Sequence, residues 1–300
     1  MLPFLDEEQV RAVLRMEDLI PAIETALTEF SAGRVAQPVR QMLSVEPHGG
    51  YFGAMPAAGS VGLGAKLVTF YPGNAAHGMH THSAIVLLFR PETGEPLAIM
   101  DGRLITEMRT AAVSAVATRA MASQGAKVLA VLGSGVQARS HVEALRLVRD
   151  FDEIRVWSRA AEHAERFAAE VGATAMSAEE AVRDADVIVT ATAAREPVLL
   201  GAWLKKGAHV NSVGWPGPQG RELDEDAMRN VLVVDSREAV LKESGDVLLS
   251  GAEIYAELGE VLAGSSPVPS GVTTVFKSVG IAVEDVAAAN LVYRGIHPNV

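Results

Sequence analysis

Lys127–Arg139 reads KVLAVLGSGVQAR, and the order of its residues decides the fold. Val128 to Leu132 form an apolar run of the kind that makes a short buried strand. Gly133-Ser134-Gly135-Val136-Gln137-Ala138 follows at once as G-x-G-x-x-A. A helical pattern then begins, with Val136, Val142, Leu145 and Val148 predicted on its buried side. Strand, glycine turn and helix in this order open a dinucleotide-binding βαβ unit. Gly133 permits the tight turn, Gly135 lets a pyrophosphate approach the backbone, and small Ala138 lets helix and strand pack closely. The helix N-terminus offers free N–H groups and a positive dipole end to phosphates. The alternative, an ordinary glycine-rich turn, accounts less well for the flanking strand and helix.

The next strand, Ile154 to Ser158, ends where an NAD-preferring site usually places an acid for the ribose 2′-hydroxyl. Here Ser158-Arg159 stands instead, a hydroxyl and a guanidinium suited to a 2′-phosphate. NADPH is therefore the expected cofactor, with NADH as the alternative and a solvated loop role for Arg159 left open. Further buried strands are read at Asp186 to Thr192, His209 to Gly214 and Val231 to Asp235. Helices are read at Ala160 to Val171 and from Ser177 to Asp184. Alternating strands and helices imply a doubly wound parallel sheet, which binds ligands at the carboxyl ends of its strands. Thr190, Thr192, Val213 and Gly214 stand at such ends. The tail is predicted as two helices, Val247 to Leu262 and Val283 to Tyr293.

The N-terminal third reads differently. Asp6 and Gln9 have the spacing of a capping box, opening a helix through Leu14. A second helix carries Leu19, Ile20, Ile23, Ala26, Leu27 and Phe30 to a stop at Gly33. Strands follow at Val39–Val45, Tyr51–Met55, Ala65–Tyr71, Ser83–Phe89 and Leu97–Met100. Turns such as Gly49-Gly50 and Pro72-Gly73-Asn74 separate them, so an antiparallel sheet is expected. Two cations fall on apolar strand faces: Lys66 beside Val68 and Phe70, and Arg40 beside Met42. An anionic substrate would explain them; snorkelling at a sheet edge is the alternative. A small-residue helix begins at Thr106 and puts Arg109 in its first turn, where a cation opposes the dipole unless it faces an anion. His77, His80 and His82 form H-x-x-H-x-H without a carboxylate in the cluster, so a polar substrate contact is preferred to a metal site and none is assigned.

Composition narrows the function classes. The 300 residues suggest two domains, and 49% hydrophobic against 21% charged residues excludes a disordered chain. A net charge of −11 with no basic run argues against a nucleic-acid surface. Zero cysteines rule out disulfides and thiolate nucleophiles and fit a reducing compartment. The start, MLPFLDEEQVRAVL, lacks a basic region followed by an apolar one, and no uncharged apolar run reaches the length of a membrane span. A soluble, cytoplasmic protein is expected.

The strings YFGAMP, KLVTFYPGN, MDGRLITEMRTAAVSAVAT, LGSGVQARSHVEAL, VDSREAVLKESGDVLLSGAEIYAELGEV and TTVFKSVGIAVED resemble the ornithine cyclodeaminase/μ-crystallin family over essentially the full chain. The resemblance is closest to the μ-crystallin, or ketimine reductase, branch. It implies an α/β fold, with a Rossmann doubly wound parallel sheet and an α+β substrate and dimerisation domain. The expected limits are 1–113 for the substrate domain, 114–278 for the Rossmann domain and 279–300 for a returning C-terminal helix. It also implies a homodimer that reduces cyclic ketimines, such as Δ1-piperideine-2-carboxylate and Δ1-pyrroline-2-carboxylate, with NADPH.

Carried over by motif, Arg40, Lys66 and Arg109 are the active-site cations, and Thr81 and His82 line the substrate pocket. Ser134, Gly135, Val136, Gln137, Ser158 and Arg159 hold the cofactor, with Ser278 near the nicotinamide. Two departures set the chain apart from the cyclodeaminases. Pro216 stands where they carry a catalytic aspartate, and Gly53 stands where they carry a glutamate. The runners-up are an alanine-forming or other acyclic imine reductase and a non-catalytic small-molecule binder. Trp215 stands where the family commonly has a smaller residue.

Overall fold

The computed structural model describes residues 2–215 and 217–297. The chain divides into two units. One comprises the residues up to Arg109 together with those from Ile281 on, and the other is Thr110–Gly280.

The first unit opens with β1 (Phe4–Leu5) and α1 (Glu7–Val13). Asp6 Oδ1 accepts from the N–H of Gln9 at 2.9 Å, and Gln9 Oε1 accepts from the N–H of Asp6 at 3.0 Å, which is the capping box predicted. α2 (Met16–Ser31) buries Leu19, Ile20, Ile23, Ala26 and Leu27, and Gly33 follows its end at φ 73°. Then come β2 (Val35–Ala36), β3 (Gln41–Val45), β4 (Gly50–Gly59), β5 (Gly62–Phe70), β6 (His82–Phe89) and β7 (Pro96–Asp101). The sheet order is β1-β7-β6-β5-β4-β2, with β3 also on β4. Its pairs are antiparallel, except that β1 joins β7 in parallel.

Two expectations fail here, each for a local reason. Arg40 is not on a strand. β4 pairs with β2 at Ala58 and Gly59 and with β3 only from Ala54 back, so residues 37–40 form a connection between them, with Pro38 unable to donate to a ladder. The small-residue helix α3 (Gly102–Met121) starts at Gly102, because Asp101 Oδ1 accepts the N–H groups of Arg103 and Leu104, both at 3.1 Å. Arg109 therefore lies beyond the first turn, and the dipole argument does not apply to it.

The second unit carries β8 (Val128–Leu132), α4 (Val136–Arg146), β9 (Glu153–Trp157), α5 (Ala161–Val171), β10 (Thr174–Ala175), α6 (Ala178–Val182), β11 (Val187–Thr190) and β12 (His209–Ser212). After them come α7 (Glu225–Met228), β13 (Val231–Val234), α8 (Arg237–Glu243), α9 (Gly245–Ser250), β14 (Ile254–Glu257), α10 (Leu258–Leu262) and β15 (Thr274–Lys277). Eight strands run in the order β10-β9-β8-β11-β12-β15-β13-β14, every neighbouring pair parallel. The order reverses between β8 and β11, the switch point at which such sheets bind ligands. This is the doubly wound sheet expected.

The predicted helix Val247 to Leu262 is instead α9, β14 and α10. Gly251, left-handed at φ 63°, caps α9 and breaks the pattern. β15 has no counterpart in the predicted elements, although it lies inside the sheet. Val136, expected on the buried side of α4, is 45% exposed because it occupies the first helical position. The last helix, α11 (Ala282–Ile296), belongs to the first unit, where it packs on β5, β4 and β6 with α2 beside it. Glycines make this possible. A Cβ at Gly62 would meet Val286 Cγ1 at 3.1 Å, and one at Gly64 would meet Val286 Cγ2 at 3.2 Å. No helix among the described residues is long and apolar enough to cross a membrane.

Candidate active site

Alternation along β5 turns Lys66 toward α11, and the first turn of α11 supplies Glu284 and Asp285. A helix N-terminus favours acids in that turn. Lys66 is 2% exposed, and its Nζ lies 2.7 Å from Asp285 Oδ2 and 3.4 Å from Thr106 Oγ1. Arg109, 4% exposed, donates through Nη1 to Glu284 Oε2 at 2.5 Å and through Nε to Asp285 Oδ1 at 3.1 Å. Both carboxylates are fully buried. Arg40, half-buried in its connection, lies within electrostatic reach of Lys66 and Asp285. The three cations that the sequence singled out are thus brought together, although only Lys66 sits on a strand.

Three cations and two carboxylates set the field of the cluster. Burial lowers the Lys66 ammonium most, Asp285 opposes that, and Arg109 adds to it; the result is about 8. Burial pushes the Asp285 carboxyl up, but Arg109 and Lys66 outweigh it and hold it below the usual range. His82 opens β6 opposite Phe70 in the register and shares the Lys66 face. Burial, then Lys66 and Arg109, press its imidazole down to about 4, so the ring is neutral at about pH 7. Thr81 precedes it, its carbonyl accepting from the N–H of Tyr71 at 2.8 Å. His77 and His80 are exposed on the connection before it. A Cβ at Gly53 would meet Met42 Sδ at 2.6 Å and Val68 Cγ1 at 3.0 Å, so the space an acid would need there is filled by Met42. Pro216, the other departure, lies outside the described residues.

In the second unit the glycine turn is shaped for a dinucleotide. Gly133 has φ 133°, and a Cβ there would meet Ala191 O at 2.6 Å. A Cβ at Gly135 would meet nothing within 4 Å, so the turn lies open. No side chain caps α4, whose first N–H groups stay available. The Gln137 amide oxygen is buried without a partner among the described residues. Ser134 Oγ and Ser158 Oγ are hydrogen-bonded at 2.9 Å.

A cleft of about 210 Å3 is lined by Gly133, Ser134, Ser158, Arg159, Thr192 and Ala193, among others. A second, of about 340 Å3, shares Trp157, Ser158 and Arg159 and adds Glu165 and Ser177. Arg159 is exposed and makes no hydrogen bond or ion pair among the described residues. The residues present therefore fit a pyridine dinucleotide.

Three residues expected at the cofactor make hydrogen bonds within the second unit. Thr190 is fully buried and donates to Glu222 Oε2 at 2.7 Å, and the N–H of Gly214 donates to the same oxygen at 2.8 Å. Ser278, 2% exposed, donates to Asp235 Oδ2 at 2.8 Å, which also takes the N–H groups of Val279 and Gly280. Thr192 does both: it lines the first cleft and bonds Glu222. Val213 is half-buried after β12. The sequence reading missed Glu284, Asp285, Glu222 and Lys277. Lys277, a cation inside the apolar run TTVFKSV, carries the same signal that marked Lys66.

The description of the ornithine cyclodeaminase/mu-crystallin family matches residues 3–298. The chain belongs to that family. It is 53% identical to a protein of Mus musculus described as ketimine reductase mu-crystallin, over 97% of this chain and 96% of the relative. A Thermococcus litoralis Δ1-pyrroline-2-carboxylate reductase, solved with NADH and L-proline, superposes with TM-score 0.93 at 37% identity, covering 99% and 98% of the two chains. An archaeal alanine dehydrogenase dimer with bound NAD also gives TM-score 0.93, at 33% identity over 100% and 97%. The family thus includes members named for imine reduction and for amino-acid dehydrogenation.

Proposed function

We propose that this protein reduces the C=N bond of cyclic α-imino acids, Δ1-piperideine-2-carboxylate and Δ1-pyrroline-2-carboxylate being the model substrates, with NADPH and less readily with NADH. The observation that carries the reading is the buried cluster of Lys66, Arg109, Glu284 and Asp285, with Arg40 beside it. A buried site with three cations in and beside it suits a small carboxylate. The names of the relatives support the same chemistry.

NADPH, when bound, would supply the hydride. The glycine turn and the first turn of α4 would hold its pyrophosphate, and Ser158 with Arg159 would meet its 2′-phosphate. Arg40 takes the substrate carboxylate and fixes the direction of the C=N bond, and orientation of this kind supplies much of a rate. Lys66 would give a proton from Nζ to the imine nitrogen, which with the hydride that NADPH would supply to carbon turns C=N into CH–NH and leaves the lysine neutral. An ammonium titrating near 8 suits that donation. Arg109 holds Glu284 and Asp285, and Asp285 holds Lys66.

A homodimer is part of the reading. The sheet face turned away from α11 carries Leu43, Phe52, Leu67, Ile85, Leu87 and Ile99, apolar and only partly covered within the unit, with Leu43 62% exposed. A second copy of the chain fits such a face. Zero cysteines support a cytoplasmic setting.

The deciding experiment measures initial rates of NADPH oxidation with the two cyclic imines, beside NADH and beside pyruvate plus ammonia. Rapid oxidation with the imines, faster with NADPH, is expected. Silence there with activity on pyruvate plus ammonia would move the assignment to an alanine dehydrogenase, which the archaeal likeness favours. Gly53 argues against the cyclodeaminase reaction, because the acid that branch carries at this position is missing.

A further inference from the structure

The second unit buries a set of charges that the reaction above does not use. Glu222 is fully buried and accepts from five donors. Oε1 takes the N–H and the hydroxyl of Thr192, both at 2.7 Å. Oε2 takes the Thr190 hydroxyl at 2.7 Å, the N–H of Gly214 at 2.8 Å and the Ser212 hydroxyl at 3.4 Å. Those donors come from the carboxyl ends of two adjacent strands, β11 and β12, and from the segments that leave them. Lys277 on β15 completes the frame: its Nζ donates to Ser212 Oγ at 3.2 Å and to Gly214 O at 2.9 Å, and pairs with Asp246 Oδ2 at 2.9 Å. Asp246 Oδ1 in turn takes the N–H groups of Glu222 and Leu223 at 2.7 and 3.0 Å.

The place of this frame matters more than its strength. A buried ionic group seldom stabilises a fold better than apolar residues of the same volume, and the parallel sheet here already has its apolar core. Yet the frame stands at the carboxyl ends, where such a sheet binds its ligand, and Thr192 lines the nucleotide cleft. Each carboxylate oxygen meets a backbone N–H, Thr192 at Oε1 and Gly214 at Oε2, and an N–H cannot accept, so both oxygens serve as acceptors.

We propose that Glu222 is the positioning residue of the nucleotide cleft. It holds the Thr192 wall against the ends of β11 and β12, and the affinity for a pyridine dinucleotide depends on it. The inference rests on the NADPH reading given above. Glu222 does not line the cleft itself; it acts through Thr192, which does.

Glu222→Gln tests this at constant shape, because the amide turns N–H groups toward donors whichever way it is placed. NADPH binding is followed by energy transfer from tryptophan, below the onset of unfolding, and KM values are measured with Δ1-pyrroline-2-carboxylate. The expected result is a rise of about tenfold or more in Kd and KM for NADPH, with KM for the imine within about twofold of the parent. Glu222→Asp, which keeps the carboxylate, recovers part of that affinity. Thr190→Val removes one buried donor and raises Kd by about threefold; it decides the matter if Glu222→Gln does not fold. A lowered melting temperature with unchanged NADPH affinity in both variants would make Glu222 a structural brace and overturn the proposal. A parent protein that reduces imines but ignores these substitutions sinks the inference alone, whereas a parent that binds no NADPH sinks the cofactor reading and this inference with it.

Discussion

At the scale of single residues, the chemistry turns on how a lysine can be both buried and protonated. Lys66 loses hydration, which lowers it to about 8, and Asp285 at 2.7 Å keeps it from falling further. The acid form therefore predominates at about pH 7, and kcat/KM for a cyclic imine should fall as pH rises through about 8. Asp285→Asn removes the opposing anion and leaves burial and Arg109 to act together. The alkaline limb of the profile should then move to lower pH by roughly one unit or more. A limb that stays in place would belong to another group and would separate Lys66 from the proton. Lys66→Met should lower turnover by about 100-fold or more while NADPH affinity stays within about threefold; near-normal turnover would remove it from the mechanism. Arg40→Ala should act on binding, raising KM for the imine by roughly 10- to 100-fold, the size of a lost charge-assisted hydrogen bond. Initial-rate series in imine concentration separate the two effects.

The elements show which of these features a sequence can announce. The βαβ opening was legible because three signals stand in a row: the apolar run of β8, the spacing of Gly133 and Gly135, and the helix after them. Lys66 was legible as a charge out of place on β5, but its partners were not, since Glu284 and Asp285 look like any acids in a first helical turn until α11 folds back on the sheet. β15 escaped because Lys277 interrupts its apolar run, and the same lysine is the clue to the frame around Glu222. Glu222 itself has no local signature; its five donors come from residues up to 32 positions away. The start of α3 is set by the cap at Asp101, five residues before the Thr106 start that the small-residue pattern suggests, and this takes Arg109 out of the first turn and away from the helix dipole. The sheet face opposite α11 illustrates a pattern read correctly for its inner side and left unread for its outer one. Leu87 lies there, half-covered, between Ala65 and Ile99. Leu87→Asp puts a charge where a second copy is proposed to dock and should weaken dimerisation by at least about 100-fold. Sedimentation or light scattering would show monomers in the variant against dimers in the parent, and unaltered mass in the variant would move the interface elsewhere.

For the molecule as a whole, acid should act on the second unit through histidines rather than carboxylates. His141 is fully buried, its Nδ1 donating to Gln137 O at 2.7 Å and its Nε2 lying 2.9 Å from Ser114 Oγ. His209 is buried as deeply, 2.8 Å from Thr274 Oγ1 and 3.2 Å from Asn211 Oδ1, and Asn211 donates onward to Thr118 at 2.9 Å. Burial pushes both imidazoles down to about 4. In the unfolded chain each titrates near about 6.5, so between those values the unfolded state binds more protons than the folded one. Stability is thus complete above about 6.5 and is lost as pH falls toward about 4, by about 3 kcal/mol for each ring at the lower limit. Both rings lie in Thr110–Gly280, against the single depressed ring of His82 in the other unit, so the larger loss falls on Thr110–Gly280. At about pH 5 the two together cost about 4 kcal/mol, enough to lower its melting temperature by roughly 10 °C relative to neutral pH. Calorimetry across that range tests it: replacing both rings with glutamine should lower the melting temperature at neutral pH and flatten its dependence on acid, whereas a parent transition that does not move between neutral pH and about pH 5 would mean that the rings take up protons without leaving their pockets.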